Sequence, residues 1–226
     1  MVEMVVILDV SLLDRGDIRE QLERFGLVTL SGQELTKGLI SWGKWEILRR
    51  RENSTFLLFP GKGALIVQAF LPSGWLDGWQ WLYVYTKRHW VPGQCPRVEG
   101  GKIHQPRGII FDSVSDVVIL DDVVSSGTTC RLIREKNDTV FPGARWHVGS
   151  WIKQRSAVLP GFTSSYAVRE FGSSDHKVPI NSLSTLLREE RIASSFTKRN
   201  LSDETQGDFL HLLADLRVKV GKEGLL

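Results

Sequence analysis

The sequence predicts an α/β protein built on a mainly parallel sheet. Two observations carry this. Apolar runs rich in Val, Ile and Phe recur along the chain, each followed by a loop and then by helical or strand-like patterning, the order produced when strands are joined by crossover helices. One of them, Val117–Leu120, is apolar at every position, as a strand covered on both faces of a parallel sheet requires.

The elements follow in chain order. Met4–Val10 reads as a strand from its Val and Ile content. Ile18, Leu22 and Phe25 fall at i, i+4 and i+7, predicting a helix from about Leu12 to Phe25 that Gly26 ends. Residues 27–52 are mixed and carry the basic patch Arg49-Arg50-Arg51. Ser54–Phe59 is a strand, Ala64–Leu71 a helix closed by Pro72-Ser73-Gly74, and Trp81–Tyr85 a strand. Residues 91–108 hold three prolines and four glycines and read as a long loop. After Val117–Leu120 come a loop and a helix over Asp121–Asn137, a turn at Phe141-Pro142-Gly143 and a strand at Trp146–Lys153. Asn181 caps a helix over Ser182–Glu190. A last helix opens at Ser202-Asp203-Glu204, where two acids favour its dipole, and buries Phe209, Leu212, Leu213 and Leu216.

A chain of 226 residues has the length of one large domain, or of a domain with an added subdomain, and needs no disulfide or structural metal to hold its core. Hydrophobic residues at 42% and charged residues at 24% exclude a disordered chain, a collagen and a disulfide scaffold. The net charge of +3 is too small to predict nucleic-acid binding by itself. Cys95 and Cys130 form no C-x-x-C pair, and the five histidines include no H-E-x-x-H, which argues against a zinc hydrolase. No apolar run reaches the roughly 18 residues of a membrane span, and the apolar start lacks a basic leader, so the expected compartment is the reducing cytoplasm.

The segment that carries chemistry is Val117–Thr129. A buried strand delivers Asp121 and Asp122 to its carboxyl end, where ligands bind in open α/β sheets. Ser125-Ser126-Gly127-Thr128-Thr129 then leads into a helix. Gly127 lets the backbone approach a ligand, the first amides of the helix converge on an anion, and four hydroxyls add hydrogen bonds. This is a phosphate cradle with two acids beside it, able to hold the vicinal hydroxyls of a sugar. A nucleotide triphosphatase would need G-x-x-x-x-G-K-[ST], which is absent. A buried strand and capped helix without a ligand is the bland alternative, and it leaves the paired acids and five small residues unexplained.

Four apolar residues, two acids, two apolar residues and a hydroxyl-rich Gly-Thr-Thr loop resemble the 5-phosphoribosyl-1-pyrophosphate (PRPP) signature of the type I phosphoribosyltransferases over thirteen contiguous residues, with Ser125-Ser126 where that family more often has threonine. The resemblance implies that fold, with a small hood and a flexible lid. It implies that Ser125, Ser126, Gly127, Thr128 and Thr129 bind the ribose 5-phosphate. Asp121 and Asp122 would hold the ribose hydroxyls and help place Mg2+.

Pro60-Gly61-Lys62-Gly63-Ala64 follows a strand and opens a helix, so its amides and Lys62 suit a second anion, although a plain Pro-Gly turn fits locally as well. In chain order Gly61, Lys62 and Gly63 resemble the family's pyrophosphate loop. Residues 87–107 hold five basic side chains (Lys87, Arg88, Arg97, Lys102 and Arg107) against Glu99, more positive charge than the chain's net +3. That suits a lid over a ligand with two phosphate groups, the alternatives being a solvated loop or a nucleic-acid contact.

Lys87-Arg88-His89, Val98-Glu99-Gly100, the turn at Phe25–Gly32 and Arg155 are similar to parts of orotate phosphoribosyltransferases. The likeness implies orotate or another pyrimidine as acceptor, Lys87 and Arg88 on the departing pyrophosphate, and His89, Trp90 and Arg155 beside the base. Trp75, Trp79 and Trp81 read as core or as a subunit contact. The family likeness also implies one domain over 1–226, with 1–52 and parts of 155–226 as hood or flanking elements, 87–108 as lid, and a homodimer. Competing expectations are a purine or small-amine acceptor, and a non-catalytic sensor of PRPP or a nucleotide, the only reading that brings in nucleic acid.

Overall fold

A computed structural model describes residues 4–9, 15–46, 54–89, 97–104, 111, 113–173 and 176–222, with the backbone alone for 44–46, 88–89 and 221–222. Two compact units are present, one formed by 1–34 with 178–226 and the other by 35–177.

The first unit holds β1 (Met4–Leu8), α1 (Gly16–Glu23), β2 (Leu27–Ser31), β10 (Ile180–Ser182), α5 (Leu183–Arg188), α6 (Glu190–Asn200) and α7 (Asp203–Lys222). Its sheet has the order β10-β1-β2 and is parallel throughout. Met4, Val6 and Leu8 alternate along β1 and enter one buried cluster with Ile18 and Leu22 of α1, Leu186 and Leu187 of α5, Phe196 of α6 and Phe209, Leu213 and Leu216 of α7. Asp9, just past β1, is buried and accepts hydrogen bonds from the Ser184 main-chain N–H at 2.8 Å and from the Ser184 hydroxyl at the start of α5. The last helix stands as the periodicity predicts. The separate helix α6 was not expected.

The second unit carries a five-stranded sheet, β4-β3-β7-β8-β9, every neighbouring pair parallel. Its strands are β3 (Thr55–Pro60), β4 (Gln80–Val84), β7 (Asp116–Val124), β8 (Arg145–Gln154) and β9 (Ser164–Phe171). The helices are α2 (Gly32–Glu46, which begins in the first unit), α3 (Gly61–Phe70) and α4 (Thr128–Asn137). The α/β class with a parallel sheet is therefore what the chain forms. On one face Phe70 of α3 meets Trp151 edge-on at 5.5 Å, and Leu39 and Trp42 of α2 lie over Gly149. On the other, Cys130 and Ile133 of α4 join Val117, Ile119, Trp146 and Val148 in one cluster with Ile103, Phe111, Val114 and Phe141.

Several sequence expectations change. Asn181 lies on β10, and Ser182, whose hydroxyl accepts from the Thr185 N–H, caps α5 in its place. Residues 27–52 were read as mixed, whereas 27–31 form β2 and 32–46 the helix α2. The predicted loop over 91–108 contains a strand: β5 (Thr86–His89) and β6 (Arg97–Gly100) pair antiparallel, Lys87 opposite Glu99. Cross-strand pairing is non-local and left no periodic signal in so short and polar a run. The strand predicted to stop at Leu120 continues to Val124, so both aspartates lie within it. Trp81 is 38% exposed and Tyr83 39%, on the outer edge of the sheet, while Trp75 and Trp79 stack on each other at 6.2 Å. These tryptophans are not core.

A buried chain pins the amino ends of β7, β8 and β9. His147 Nε2 lies 2.9 Å from Asp116 Oδ1, His147 Nδ1 lies 2.8 Å from Ser164 Oγ, and Arg145 donates to Asp116 at 2.8 Å. Buried polar groups need such partners, so this histidine is architectural. Among the described residues no helix is long and apolar enough to cross a membrane.

Candidate functional site

β7 is the middle strand of the second unit's sheet, and its carboxyl end meets that of β3, the two strands pairing through Leu58 and Ile119. Alternation along β7 sends Asp121 and Asp122 to opposite faces. Asp121 is 5% exposed and its Oδ1 accepts from the Asp122 N–H at 3.0 Å. Asp122 is half-buried and its Oδ1 accepts from the Val123 N–H at 2.7 Å.

Asp122 faces Gly63, and Gly61, Lys62 and Gly63, expected to precede the helix at Ala64, are instead the first turn of α3. A Cβ built on Gly63 would lie 2.1 Å from Asp122 Oδ1, 2.4 Å from its Cγ and 2.6 Å from Oδ2. The side of this turn that a side chain would fill is thus given to a carboxylate. Gly61 abuts Thr86 at the start of the β5–β6 ribbon, and Lys62 between the two glycines is exposed. The strand ends bring together Asp122, the first turn of α3 and the ribbon's first residue Thr86, which are far apart in the chain.

The second loop leaves β7 and enters α4. Gly127 is the residue before the helix and is left-handed, with φ of 76°. Two constraints select glycine: the positive φ, and the Val158 carbonyl oxygen 2.5 Å from where a Cβ would stand. Ser126 and Thr128 hydroxyls are 2.9 Å apart, and the Thr128 N–H reaches Ser126 Oγ at 3.4 Å. Thr129 is buried on the first turn, while Ser125 is half-buried. The amino terminus of the ten-residue helix α4, the positive end of its dipole, opens on this loop.

Sequence reasoning missed Arg131. Its Nη1 donates to Ser126 O at 2.9 Å and to Val158 O, and its Nη2 to Thr128 Oγ1 at 3.2 Å. The signal was available: a long side chain on a helix leans toward the amino end, so a cation at the fourth position of α4 overhangs the loop before it. Asn137, fully buried at the far end of α4, holds the chain after the ribbon: its Nδ2 donates to Gly101 O at 2.6 Å and its Oδ1 accepts from the Ile103 N–H at 2.8 Å. Lys136 adds a bond to Gly100 O at 2.7 Å. This anchor, unlike Arg131, had no sequence signal, because a lone Asn near a helix end reads as a cap.

The remaining predicted residues are more scattered. Lys87 is exposed on β5, and Arg88 and His89 follow it on that strand. Trp90 lies outside the described residues, as do 91–96 and 105–108 of the proposed lid. Arg155 is exposed just after β8, with its N–H bonded to Phe171 O. Among the described residues no group of three or more His, Cys, Asp and Glu gathers to hold a metal. Because Asp121 turns to the other face, Asp122 alone is placed to meet Mg2+, which suits an ion that takes most of its ligands from water and phosphate oxygens.

No family model matches the chain, and no curated protein matches it. Among solved structures it is similar to a purine phosphoribosyltransferase from Pyrococcus horikoshii, with 16% identity over 68% of this chain and 90% of that one and a TM-score of 0.48. The hypoxanthine phosphoribosyltransferase of Trypanosoma cruzi, in complex with IMP, gives 16%, 62%, 77% and 0.45 for the same measures. The orotate phosphoribosyltransferase of Aeropyrum pernix gives 21%, 61%, 70% and 0.38. At these values the likeness is distant, and the acceptor bases named are those of the neighbours.

Proposed function

We propose that the chain is a phosphoribosyltransferase that uses PRPP and Mg2+ to move phosphoribose onto a ring nitrogen of a nucleobase, releasing pyrophosphate. The observation that carries the reading is the space on Gly63 given over to the Asp122 carboxylate, because it joins an acid that can face a sugar or its metal to the first turn of a helix, the end that favours an anion. The phosphate loop at 125–129 lies at the end of the same strand.

The reaction requires that the base nitrogen's electron pair form a bond to the anomeric carbon as the bond from that carbon to pyrophosphate oxygen breaks. Positive charge develops on the sugar, so catalysis is positioning and charge stabilisation with no protein nucleophile. Ser125 to Thr129 and the amides of α4 hold the 5-phosphate. Asp122 orients the ribose and favours its developing charge, and Asp121 fixes the main chain that carries Asp122. Gly61, Lys62 and Gly63 receive the pyrophosphate, with Lys87 and Arg88 arriving from the ribbon. Asp122 would hold Mg2+, which would supply charge neutralisation on the leaving group. Arg155 stands at the carboxyl end of β8, on the acceptor side. A homodimer belongs to the same proposal.

The test is pyrophosphate release from PRPP and Mg2+ with a panel of orotate, uracil, adenine, guanine, hypoxanthine and xanthine. Release with one base class supports the reading and names the acceptor. PRPP binding with no release from any base would overturn it in favour of a sensor, and sedimentation of the same sample reads the oligomer.

A further inference from the structure

We infer that Asn137, with Lys136 beside it, is a positioning residue for the β5–β6 ribbon: the carboxyl end of α4 clamps the ribbon's returning strand, and the clamp sets where the strand bearing Lys87 and Arg88 stands relative to Gly61–Gly63. The inference rests on the proposed pyrophosphate site and adds to it two residues outside every motif of the sequence.

The ribbon has two roots. Its outgoing strand starts at Thr86, whose Oγ1 lies 2.7 Å from where a Cβ on Gly61 would stand, so Lys87 and Arg88 are the next two residues beyond that contact. Its returning strand ends at Gly100, and Gly100 and Gly101 have φ of 84° and 81°. The Gly101 N–H donates to Tyr85 O at 2.8 Å, and a Cβ on Gly100 would lie 2.2 Å from that same oxygen. Two left-handed glycines in succession turn the chain out of the ribbon there. Thr86 and Gly100 are opposite each other in the ladder, so the two roots form one cross-strand pair and a shift at one is a shift at the other.

Asn137 makes the returning root fast. Residues 101–104 belong to no strand. The carbonyl before Lys102 and the N–H after it are the two groups that one residue of a parallel neighbouring strand would engage. The Asn137 amide takes that place, its Nδ2 donating to Gly101 O at 2.6 Å and its Oδ1 accepting from the Ile103 N–H at 2.8 Å. Nδ2 also donates to Ile133 O at 2.6 Å within α4. The side chain is fully buried, and only an amide offers a donor and an acceptor side by side. Exposed Lys136 donates to Gly100 O at 2.7 Å, so α4 holds main-chain groups at 100, 101 and 103. The ribbon is a sheet of its own, apart from the five-stranded one, so no ladder to the core sets its direction, and that task falls to its roots.

Calorimetric titration of the full chain with inorganic pyrophosphate and Mg2+ tests the positioning, and amide exchange over 100–104 tests the clamp. Asn137→Ala should speed that exchange and weaken pyrophosphate by about tenfold, the scale of one charge-assisted pair. Lys136→Met, an exposed change that leaves the buried amide in place, should speed exchange less and weaken pyrophosphate by about threefold. Both losses should vanish in a chain that already carries Lys87→Ala and Arg88→Ala, because a positioning residue acts only through the groups it places. Should that background bind no pyrophosphate, Lys87→Ala alone takes its place. A loss that persists in the background, or native affinity in both variants, would overturn the positioning, and unchanged exchange in both would overturn the clamp. If Asn137→Ala does not fold, Lys136→Met carries the test on the same two readouts. The expected coupling without pyrophosphate release from PRPP with any base leaves Asn137 standing and sinks the transferase reading. Release with native affinity in both variants does the reverse, and no binding of pyrophosphate by the native chain overturns both.

Discussion

The carboxylate of Asp122 stands where a side chain on Gly63 would have to be, with Oδ1 2.1 Å from the position of that missing Cβ. Gly63 carries no positive φ, so space and not backbone conformation makes it glycine. Gly63→Ala is then expected to separate function from stability. Alanine favours the helix α3 by up to about 1 kcal/mol, offsetting the cost of pushing a short carboxylate aside. Pyrophosphate release should fall by about tenfold or more while the melting temperature moves by only a few degrees. A variant with native turnover would show that the contact has no role in the reaction.

Asp121→Asn together with Asp122→Asn keeps the shape of both side chains and the acceptors for the Asp122 and Val123 N–H groups. The double variant is expected to lose turnover and keep a native circular dichroism spectrum and cooperative melt. Retained activity in a folded double variant would remove the two acids from the mechanism.

Gly127→Ala meets both a left-handed backbone and the Val158 carbonyl. The strain should cost about 2 kcal/mol, which in a chain of this size lowers the melting temperature by about 5 °C. Ribose 5-phosphate binding should weaken in parallel, since relief of the contact moves the loop. Calorimetry and a thermal melt on one sample check both.

Asp9 predicts a pH dependence of stability. Burial raises its carboxyl above the ordinary carboxylate value, against the bonds from Ser184 that pull it down. The folded state therefore holds the proton more tightly than the unfolded one. The associated stability is fully present below the unfolded value near 4 and is lost as pH rises through the folded value. Asp9→Asn, still able to accept from the Ser184 N–H, should lack this dependence. The difference in melting temperature should move in favour of Asp9→Asn as pH is raised from about 4 to 7. A gap that stays constant over that range would contradict the shift.

The strand, the paired acids and the hydroxyl-rich loop were legible because they are contiguous: one run of residues encodes burial, charge and turn together. The helix α2 was not, although Leu35, Leu39 and Trp42 repeat at i, i+4 and i+7, because Gly38 and Gly43 depress its propensity. Gly38 is required by packing, its missing Cβ lying 2.6 Å from Val168 of β9. Tertiary contact overrides local preference there. The ribbon escaped for another reason: Thr86–His89 and Arg97–Gly100 are strands only by virtue of each other.

The residues in order were enough to yield the α/β class, the run of β7 into a hydroxyl-rich turn and α4, and the residue types that surround it, since each follows from neighbours in the chain. It is the packed fold that turns Asp121 and Asp122 opposite ways, gives the space on Gly63 to Asp122, and ties α4 through Arg131 and Asn137 to segments far along the chain. Those relationships depend on which strands lie side by side, and strand order is set by burial of whole elements against one another, a quantity no local stretch of residues carries.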